Sequence, residues 1–211
     1  MPTLYAMPGT CALAPNIAVA WLDAPIEVRT MAYGDHKKPD YLAVNDKGKV
    51  PALRFEDGDV LTEAAAILSY IGAAHGDGSY ARDTKLGRKE AEALSYMTSE
   101  VHAAYGGHFA PGSKADGEEA QGAVKKKAYE VLGGHYQRMD RILTEAGGEW
   151  YLGTKSFADA YLYVLCRWIE QTPLNLADYA GLTNHRARME ADEGVKTALA
   201  RQDMAPIGQG G

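Results

Sequence analysis

The sequence predicts a protein of two parts, a small α/β domain followed by a larger all-α domain. Strand-forming runs occur only in the N-terminal third of the chain, where short β-prone segments alternate with turns and a helical pattern. Beyond the glycine-rich segment at 76–78, apolar residues recur at helical spacing over long stretches. We therefore expect an α/β domain over residues 1–77 and an all-helical domain over residues 84–205.

The N-terminal part begins with a strand, a helix and a second strand. Thr3–Ala6 is short and β-prone, and Pro8-Gly9 closes it with a turn. The helix that follows is indicated by apolar residues at helical spacing, namely Ala14, Ile17, Ala18 and Trp21. Ile26–Met31 is the second strand, and this order predicts a parallel pair joined by a crossover helix.

The next elements extend the order to βαβ-ββα. Ala32–Lys49 is polar and irregular, with one helical turn at Tyr41–Val44. Asp57-Gly58 lies between two apolar runs, which is the strongest short-range signal for an antiparallel hairpin. The two hairpin strands are Ala52–Phe55 and Val60-Leu61. Thr62 is then expected to cap a helix that ends near the glycines at 76–78.

The C-terminal part is predicted to be a set of helices. Two long helical patterns, at Thr84–Tyr105 and Glu118–Glu145, are separated by a loop at Gly106–Gly117. Phe157–Ile169 is apolar on nearly every side, which indicates a helix at the centre of a core, and Ser156–Asp159 has the capping-box arrangement at its start. A short last helix is predicted at Val195–Arg201.

Composition and charge exclude several classes of partner. Apolar residues make up 46% of the 211 residues and charged residues 24%, which are ordinary values for a globular protein. The net charge of −6 opposes extended contact with phosphates, so we expect no nucleic-acid partner. No apolar run reaches the roughly 18 residues that span a bilayer, and no basic segment precedes the first apolar stretch. We therefore expect no membrane partner and a cytoplasmic location.

The two cysteines, Cys11 and Cys166, fit no metal-ligand spacing and are expected to be free thiols in a reducing compartment. Cys11 follows a strand and a turn and precedes a helix, where backbone amides and the helix dipole favour a thiolate. It is therefore a candidate nucleophile, and a small buried hydrophobic residue is the alternative. Ala14 stands where a Cys-x-x-Cys motif needs its second thiol. One-thiol chemistry with an external thiol stays open.

Three further features allow both a structural and a functional interpretation. If the Val50–Pro51 bond is cis rather than the commoner trans, the backbone of Val50 can hydrogen-bond to an extended peptide ligand. Glu63 lies in a first helical turn, where its carboxylate either stabilises the helix dipole or captures a ligand ammonium. A polar stripe at i, i+4 and i+7 is either solvated or lines a site. It consists of Ser95, Ser99 and His102.

A set of short motifs spans nearly the whole chain. They are Pro8–Pro15, Asn45 with Lys47–Leu53, Leu61–Glu63 with Ala66-Ile67, Ser156–Tyr161, and Trp168. Together they resemble the cytosolic glutathione transferases, most closely the bacterial beta class. The resemblance implies a thioredoxin-like N-terminal domain that binds glutathione and an all-helical domain that contributes the electrophile pocket. It also implies a homodimer, with glutathione bound between domains as a substrate and with no cofactor or metal.

The resemblance assigns roles to residues of the N-terminal domain. Cys11 looks like the beta-class cysteine beside the glutathione sulfur, and the backbone of Val50 would pair with the cysteinyl part. Pro51 would be a cis-proline. Glu63 would hold the γ-glutamyl amino group, and the amide of Ala64 would meet the neighbouring carboxylate.

The resemblance extends to the helical domain, with two departures. His102 is similar to the beta-class histidine near the sulfur. Ser95 and Ser99 fall where that helix reaches toward glutathione, in the same subunit or across the dimer. Ala64 replaces a serine of many transferases and Ala103 replaces a common lysine. These changes would remove one hydrogen bond to the ligand and one positive charge near its sulfur.

These observations lead to one expected function and two alternatives. We expect a detoxifying glutathione S-transferase that joins the glutathione thiolate to small electrophilic compounds, with an acceptor pocket built from residues 104–113 and C-terminal side chains. The first alternative is glutathione-dependent thiol–disulfide exchange, in which Cys11 forms a mixed disulfide that a second glutathione releases. The second is a weakly catalytic carrier of apolar ligands, for which Ala64 and Ala103 are the support.

Overall fold

The computed structural model describes residues 1–79, 81 and 83–207 of the chain. It contains two compact units. The first consists of Met1–Ala91 together with the C-terminal segment from Arg188 onward, and the second consists of Glu92–Ala187. These units are defined by packing within the chain, so the functional domains proposed from sequence at 1–77 and 84–205 stay predictions.

Among the described residues, the first unit contains a four-stranded mixed sheet. Its strands are β1 (Thr3–Ala6), β2 (Glu27–Thr30), β3 (Ala52–Arg54) and β4 (Val60–Thr62), in the order β2-β1-β3-β4. β1 pairs parallel with β2 and antiparallel with β3, and β3 pairs antiparallel with β4. The predicted parallel pair and the predicted hairpin are both confirmed. Gly58, in the hairpin turn, has a φ of 91°, which a glycine adopts without steric cost.

Three helices connect or follow these strands. They are α1 (Leu13–Trp21) between β1 and β2, α2 (Pro39–Leu42) after a 3₁₀ turn at Asp35–Lys37, and α3 (Ala64–His75) after β4. The prediction that Thr62 caps α3 is wrong, because Glu63 occupies the N-cap position and makes no side-chain capping bond. Thr62 instead belongs to β4, where its backbone pairs with Ala52. Sheet pairing therefore decides where this helix begins.

The predicted last helix is present as α10 (Glu193–Arg201), and it packs against α1 within the first unit. Asn16, which is fully buried in α1, donates from its side-chain amide to the carbonyl of Ala198 at 2.9 Å. The indole N–H of Trp21 donates to the carboxylate of Asp192 at 2.7 Å. The same carboxylate caps α10, so one side chain fastens the C-terminal helix to the helix that follows Cys11.

The helix predicted at Thr84–Tyr105 is present, but helical structure extends to residue 109 and is not a uniform α-helix. It consists of α4 (Lys85–Tyr96), a π-helical segment (Met97–Val101), α5 (His102–Ala104) and α6 (Gly106–Phe109). The prediction of a loop from Gly106 is therefore wrong at its start. A Cβ at Gly107 would lie 2.8 Å from the Cβ of Ala128, so close packing between helices requires this glycine. From the sequence alone, the same glycine is predicted to lie in a loop.

The core of the second unit is formed by two helices that the sequence predicts well. α7 (Glu118–Glu145) has the predicted bounds, and α8 (Phe157–Trp168) is buried along nearly all of its length. A further helix, α9 (Ala180–Ala191), has no counterpart in the prediction. Its buried positions are Leu182, His185 and Met189. Because His185 is polar, the helical spacing of buried positions on this face does not show as a pattern of apolar residues in the sequence.

A buried polar network joins the start of α8 to α9. Asp159 accepts hydrogen bonds from the backbone N–H and hydroxyl of Ser156 at 2.9 and 3.0 Å, which completes the predicted capping box. Its other oxygen accepts from the N–H of Tyr151 at 2.8 Å and lies 3.0 Å from Nε2 of His185. Asp159 and His185 are both fully buried, and the carboxylate gives Nε2 of His185 a polar partner in the interior.

Candidate functional site

Cys11 lies in the turn between β1 and α1. The hydroxyl of Thr10 donates to the carbonyl of Met7 at 2.7 Å and accepts from the N–H of Ala12 at 3.3 Å, so it holds this turn from both sides. Cys11 is buried, and its Sγ lies 3.8 Å from the carbonyl oxygen of Val50. The structure therefore brings together two of the predicted site residues that are far apart in sequence.

Val50 is positioned by contacts to the residue before it. The carbonyl of Lys49 accepts from the hydroxyl of Tyr41 at 2.6 Å and from the side-chain amide of Asn45 at 2.7 Å. The Val50–Pro51 peptide bond is cis, as the family resemblance implied. Among the described residues, the N–H of Val50 has no hydrogen-bond partner. The backbone here offers both a donor and an acceptor beside Cys11.

Glu63 has an unusual backbone conformation at the start of α3. Its φ of 70° lies in the left-handed region, which a residue other than glycine adopts rarely and at a cost of roughly 1–3 kcal/mol. Its side chain is 76% exposed, and its carboxylate lies 3.2 Å from the ammonium of Lys47. Lys47 also donates to the hydroxyl of Thr62. Glu63 thus already binds an ammonium group, although it is one from the same chain.

Ala64 is the first residue of α3, a helix of 12 residues. The first N–H groups of a helix have no partner within the helix, and together with the helix dipole they favour a bound anion. Glu63 and Ala64 therefore present a carboxylate and backbone donors at adjacent positions. This pairing is complementary to an amino acid, whose ammonium and carboxylate share one carbon atom.

The predicted polar stripe of the second unit is broken by the π-helical segment Met97–Val101. A π-helix bonds each residue to the fifth one along the chain, so α-helical spacing does not hold across it. The structure leaves Ser95 and Ser99 exposed, with the Ser99 hydroxyl donating to the carbonyl of Ser95 at 2.8 Å. His102 lies half-buried against α8 instead. The two serines and the histidine therefore differ in exposure and in the groups that they contact.

His102 contacts two aromatic residues of α8. Its Nδ1 lies 2.6 Å from the hydroxyl of Tyr161, and its ring meets the ring of Trp168 edge-on, with centroids 4.7 Å apart. Tyr161 is fully buried and Trp168 nearly so. The sequence places Tyr161 in the Ser156–Tyr161 motif but gives no sign of its contact with His102, because 59 residues of chain separate the two.

An aromatic cluster adjoins His102 within the second unit. Tyr105, Phe109 and Trp168 have ring centroids 5.2–5.5 Å from one another, and Phe109 is 48% exposed. The Tyr105 hydroxyl lies 2.6 Å from that of Tyr136, which donates to the carbonyl of Leu165. Burial raises the pKa of both tyrosines well above the usual range, so both stay neutral.

Two further properties of the described residues bear on ligands. No group of three or more histidine, cysteine or acidic side chains is placed to hold a metal ion within the part of the chain that the structure describes. None of the helices in that part combines the length and apolarity that crossing a bilayer requires.

Comparison with known proteins identifies the family. Residues 10–74 match the glutathione S-transferase N-terminal domain, and residues 105–202 match the glutathione S-transferase C-terminal domain. The sequence is 32% identical over 212 residues to glutathione S-transferase GST-4.5 of Xanthomonas campestris, with 95% of this chain and 98% of that protein covered. The chain belongs to the glutathione S-transferase family.

Solved structures of this family support the same conclusion. A glutathione transferase homologue from Sulfitobacter with bound glutathione superposes with a TM-score of 0.85 at 29% identity, covering 97% of this chain and 99% of that one. A bacterial beta-class glutathione S-transferase from Sphingomonas chungbukensis gives a TM-score of 0.81 at 30% identity, covering 96% and 100%. The predicted resemblance and the predicted fold, a thioredoxin-like domain followed by a helical domain, are confirmed.

The two matched segments of the glutathione S-transferase family treat the candidate residues differently. The N-terminal segment contains Cys11, Val50, Pro51, Glu63 and Ala64. The C-terminal segment begins after Ser95, Ser99 and His102. The match to the C-terminal domain therefore does not support a role for these last three residues, and their assignment rests on their own contacts in the structure.

Proposed function

We propose that this protein binds glutathione and joins its thiolate to small electrophilic compounds. The observation that carries the proposal is the backbone of Val50. Its N–H has no hydrogen-bond partner among the described residues, and its carbonyl oxygen lies 3.8 Å from Cys11 Sγ. An extended peptide pairs with a backbone edge that offers both a donor and an acceptor. The cysteinyl part of glutathione is such a peptide, and pairing with Val50 brings its sulfur beside Cys11. Bound glutathione in the Sulfitobacter homologue supports this assignment.

Glu63 and the first turn of α3 complete the glutathione site in this proposal. The Glu63 carboxylate accepts hydrogen bonds from the γ-glutamyl ammonium, which replaces the ammonium of Lys47. The N–H of Ala64 donates to the neighbouring carboxylate, which the helix dipole also stabilises. Because Ala64 has no hydroxyl, the backbone makes this contact alone.

The protein's main contribution to the reaction is stabilisation of the glutathione thiolate. The start of α1 supplies N–H groups and the positive end of a helix dipole near Cys11. The thiolate then forms a carbon–sulfur bond with the electrophile, and the displaced electron pair leaves with the leaving group or is protonated after addition. Glutathione is consumed as a substrate and does not act as a cofactor.

In this proposal the helical domain, residues 84–205, binds the electrophile. The exposed ring of Phe109, backed by Tyr105 and Trp168, offers an apolar aromatic surface for it. His102 acts on the sulfur during transfer. The exposed hydroxyls of Ser95 and Ser99 contact glutathione.

We further propose that the protein is a homodimer, that it is cytoplasmic and that its role is detoxification. The two free cysteines fit a reducing compartment.

Thiol–disulfide exchange is a second candidate function, and the position of Cys11 favours it. A mixed disulfide needs the protein thiol beside the sulfur of glutathione, and pairing with Val50 places the two together. Glutathione soaked into crystals distinguishes the two functions. Electron density for a separate ligand thiol supports conjugation, whereas a continuous disulfide to Cys11 supports exchange.

Glu63→Gln is expected to weaken glutathione binding by roughly ten- to a hundredfold. The substitution keeps the shape of the side chain and removes a charge-assisted hydrogen bond to an ammonium, worth about 1.5–3 kcal/mol. Isothermal titration with glutathione measures the change. Glu56→Gln in the β3–β4 turn removes an exposed carboxylate outside the site and serves as the control.

If Glu63 instead stabilises the α3 dipole, the substitution should affect stability and not affinity. Glu63→Gln would then lower the melting temperature and leave the affinity for glutathione unchanged. Melting and titration should therefore be measured on the same variant. Binding within twofold of the unsubstituted protein would remove Glu63 from the site.

His102→Ala is expected to reduce kcat/KM for conjugation by roughly ten- to a hundredfold. The ring would stabilise the developing thiolate, and the start of α1 retains part of that effect in the variant. Turnover per folded molecule, measured from pH 6 to 8, tests this. An unchanged pH profile and unchanged turnover would leave His102 as a packing residue.

A further inference from the structure

Tyr161 and His102 form a close pair in the interior of the second unit. The Tyr161 hydroxyl lies 2.6 Å from Nδ1 of His102. Tyr161 is fully buried on α8, a helix fixed at its start by the Asp159 capping box. Trp168, two turns further along α8, meets the His102 ring from its edge at 4.7 Å. One rigid helix thus supplies both contacts to the imidazole.

The chemistry of the two groups determines which one donates. A neutral imidazole has one nitrogen with a proton and one without, and the unprotonated nitrogen is a much stronger base than a phenol oxygen. The phenol O–H is the better donor of the two. The favoured arrangement therefore has Tyr161 donating to Nδ1, which leaves the ring proton of His102 on Nε2.

The tautomer decides what His102 can do in the reaction. With its proton on Nε2, that nitrogen donates a hydrogen bond and stabilises a thiolate. With the proton on Nδ1, Nε2 would instead accept a proton and act as a base. The sequence leaves these two roles of His102 open, whereas the contact with Tyr161 distinguishes between them.

We propose that Tyr161 is a positioning residue that donates to Nδ1 of His102 and holds the ring in the Nε2–H tautomer, so that His102 acts as a hydrogen-bond donor to the glutathione sulfur. The part concerning the sulfur rests on the function proposed above. The part concerning the tautomer rests on the geometry of the pair alone, which allows the two to be tested separately.

Nitrogen-15 NMR of the histidine rings reads the tautomer directly, in protein without ligand. We expect His102, assigned by its loss in His102→Ala, to show the Nε2–H pattern. Tyr161→Phe keeps the buried ring and removes the hydroxyl, and it should give a mixture of tautomers. Tyr96→Phe is the matched control, because Tyr96 contacts Nδ1 of His135 at 2.8 Å in the same way. It should change His135 and leave His102 unaltered.

Kinetics test the consequence for the reaction. At saturating glutathione, Tyr161→Phe should lower kcat for conjugation roughly three- to tenfold and leave the Kd for glutathione within twofold. In a His102→Ala background, the same substitution should have no further effect on kcat. A loss of equal size in that background would overturn the positioning role, since Tyr161 would then act without His102.

Two other outcomes are decisive. An Nδ1–H tautomer in the unsubstituted protein would overturn the proposal even if Tyr161→Phe failed to fold. An Nε2–H tautomer that Tyr161→Phe disturbs, in a protein without conjugating activity, would support the Tyr161 contact and overturn the proposed function. The two failures are therefore distinguishable.

Discussion

Cys11→Ala is expected to abolish glutathione-dependent disulfide exchange and to reduce conjugation only in part. In exchange, the Cys11 thiolate attacks a disulfide formed by glutathione and a substrate thiol, and the substrate leaves as a thiolate. A second glutathione then attacks the mixed disulfide, which restores Cys11 and releases oxidised glutathione. Every step uses the Cys11 sulfur. Conjugation uses the ligand's own sulfur, so the backbone of Val50 and the start of α1 still serve it.

Two assays on the same preparation measure this divergence. One follows reduction of a glutathione mixed disulfide, and the other follows conjugation of an activated aromatic halide. Cys166→Ala is the matched control, because Cys166 is the other free cysteine and is fully buried in α8. That variant should keep both activities per folded molecule.

A loss of conjugation in a folded Cys11→Ala protein would contradict this division of roles. If that variant still bound glutathione, Cys11 would be required in the transfer step itself. Exchange that persisted in Cys11→Ala would contradict the second candidate function instead. Titration with glutathione should accompany both assays, so that failed binding is not mistaken for failed chemistry.

The elements that the sequence predicts accurately have strong local signals. The Asp57-Gly58 turn forms the β3–β4 hairpin, and the capping box at Ser156 starts α8. Their geometry depends on residues a few positions apart, so a short segment contains the whole cause. The same reason explains the exact bounds of α7, whose apolar residues recur over 28 positions.

The elements that the sequence misses are determined by distant partners. α9 buries His185 because Asp159, 26 residues earlier, accepts from it. α6 contains Gly107 because Ala128 on α7 leaves no room for a side chain. Thr62 belongs to β4 and does not cap α3, because its backbone pairs with Ala52. Each of these causes is invisible in a window of local sequence.

The candidate site divides in the same way. The turn around Cys11 and the cis bond before Pro51 follow motifs that the sequence displays, and the structure contains both. No sequence motif indicates the contact of Lys47 with Glu63 or that of Tyr161 with His102. The first contact shows which group an ammonium ligand at Glu63 would displace. The second is the basis of our proposal for the His102 tautomer.

Asp159→Ala is expected to lower the free energy of unfolding by about 3–5 kcal/mol, the cost of removing a buried carboxylate from a network of hydrogen-bond donors that then lose their acceptor. The carboxylate accepts four hydrogen bonds, from two groups of Ser156, from Tyr151 and from His185. Alanine leaves these donors buried, where each unsatisfied group costs about 1–3 kcal/mol. The N-terminal cap of α8 is lost at the same time.

Chemical denaturation of the variant measures this loss, with Asp116→Ala as the control. Asp116 is exposed, so its removal should change the free energy of unfolding by less than about 0.5 kcal/mol. Asp159→Asn should fall between the two, because the amide oxygen still accepts while its NH₂ group faces donors. A loss below about 1 kcal/mol in Asp159→Ala would mean that the buried donors find other acceptors. α8 also carries Tyr161 and Trp168, so Asp159 would in that case be excluded as the anchor that holds His102 through this helix.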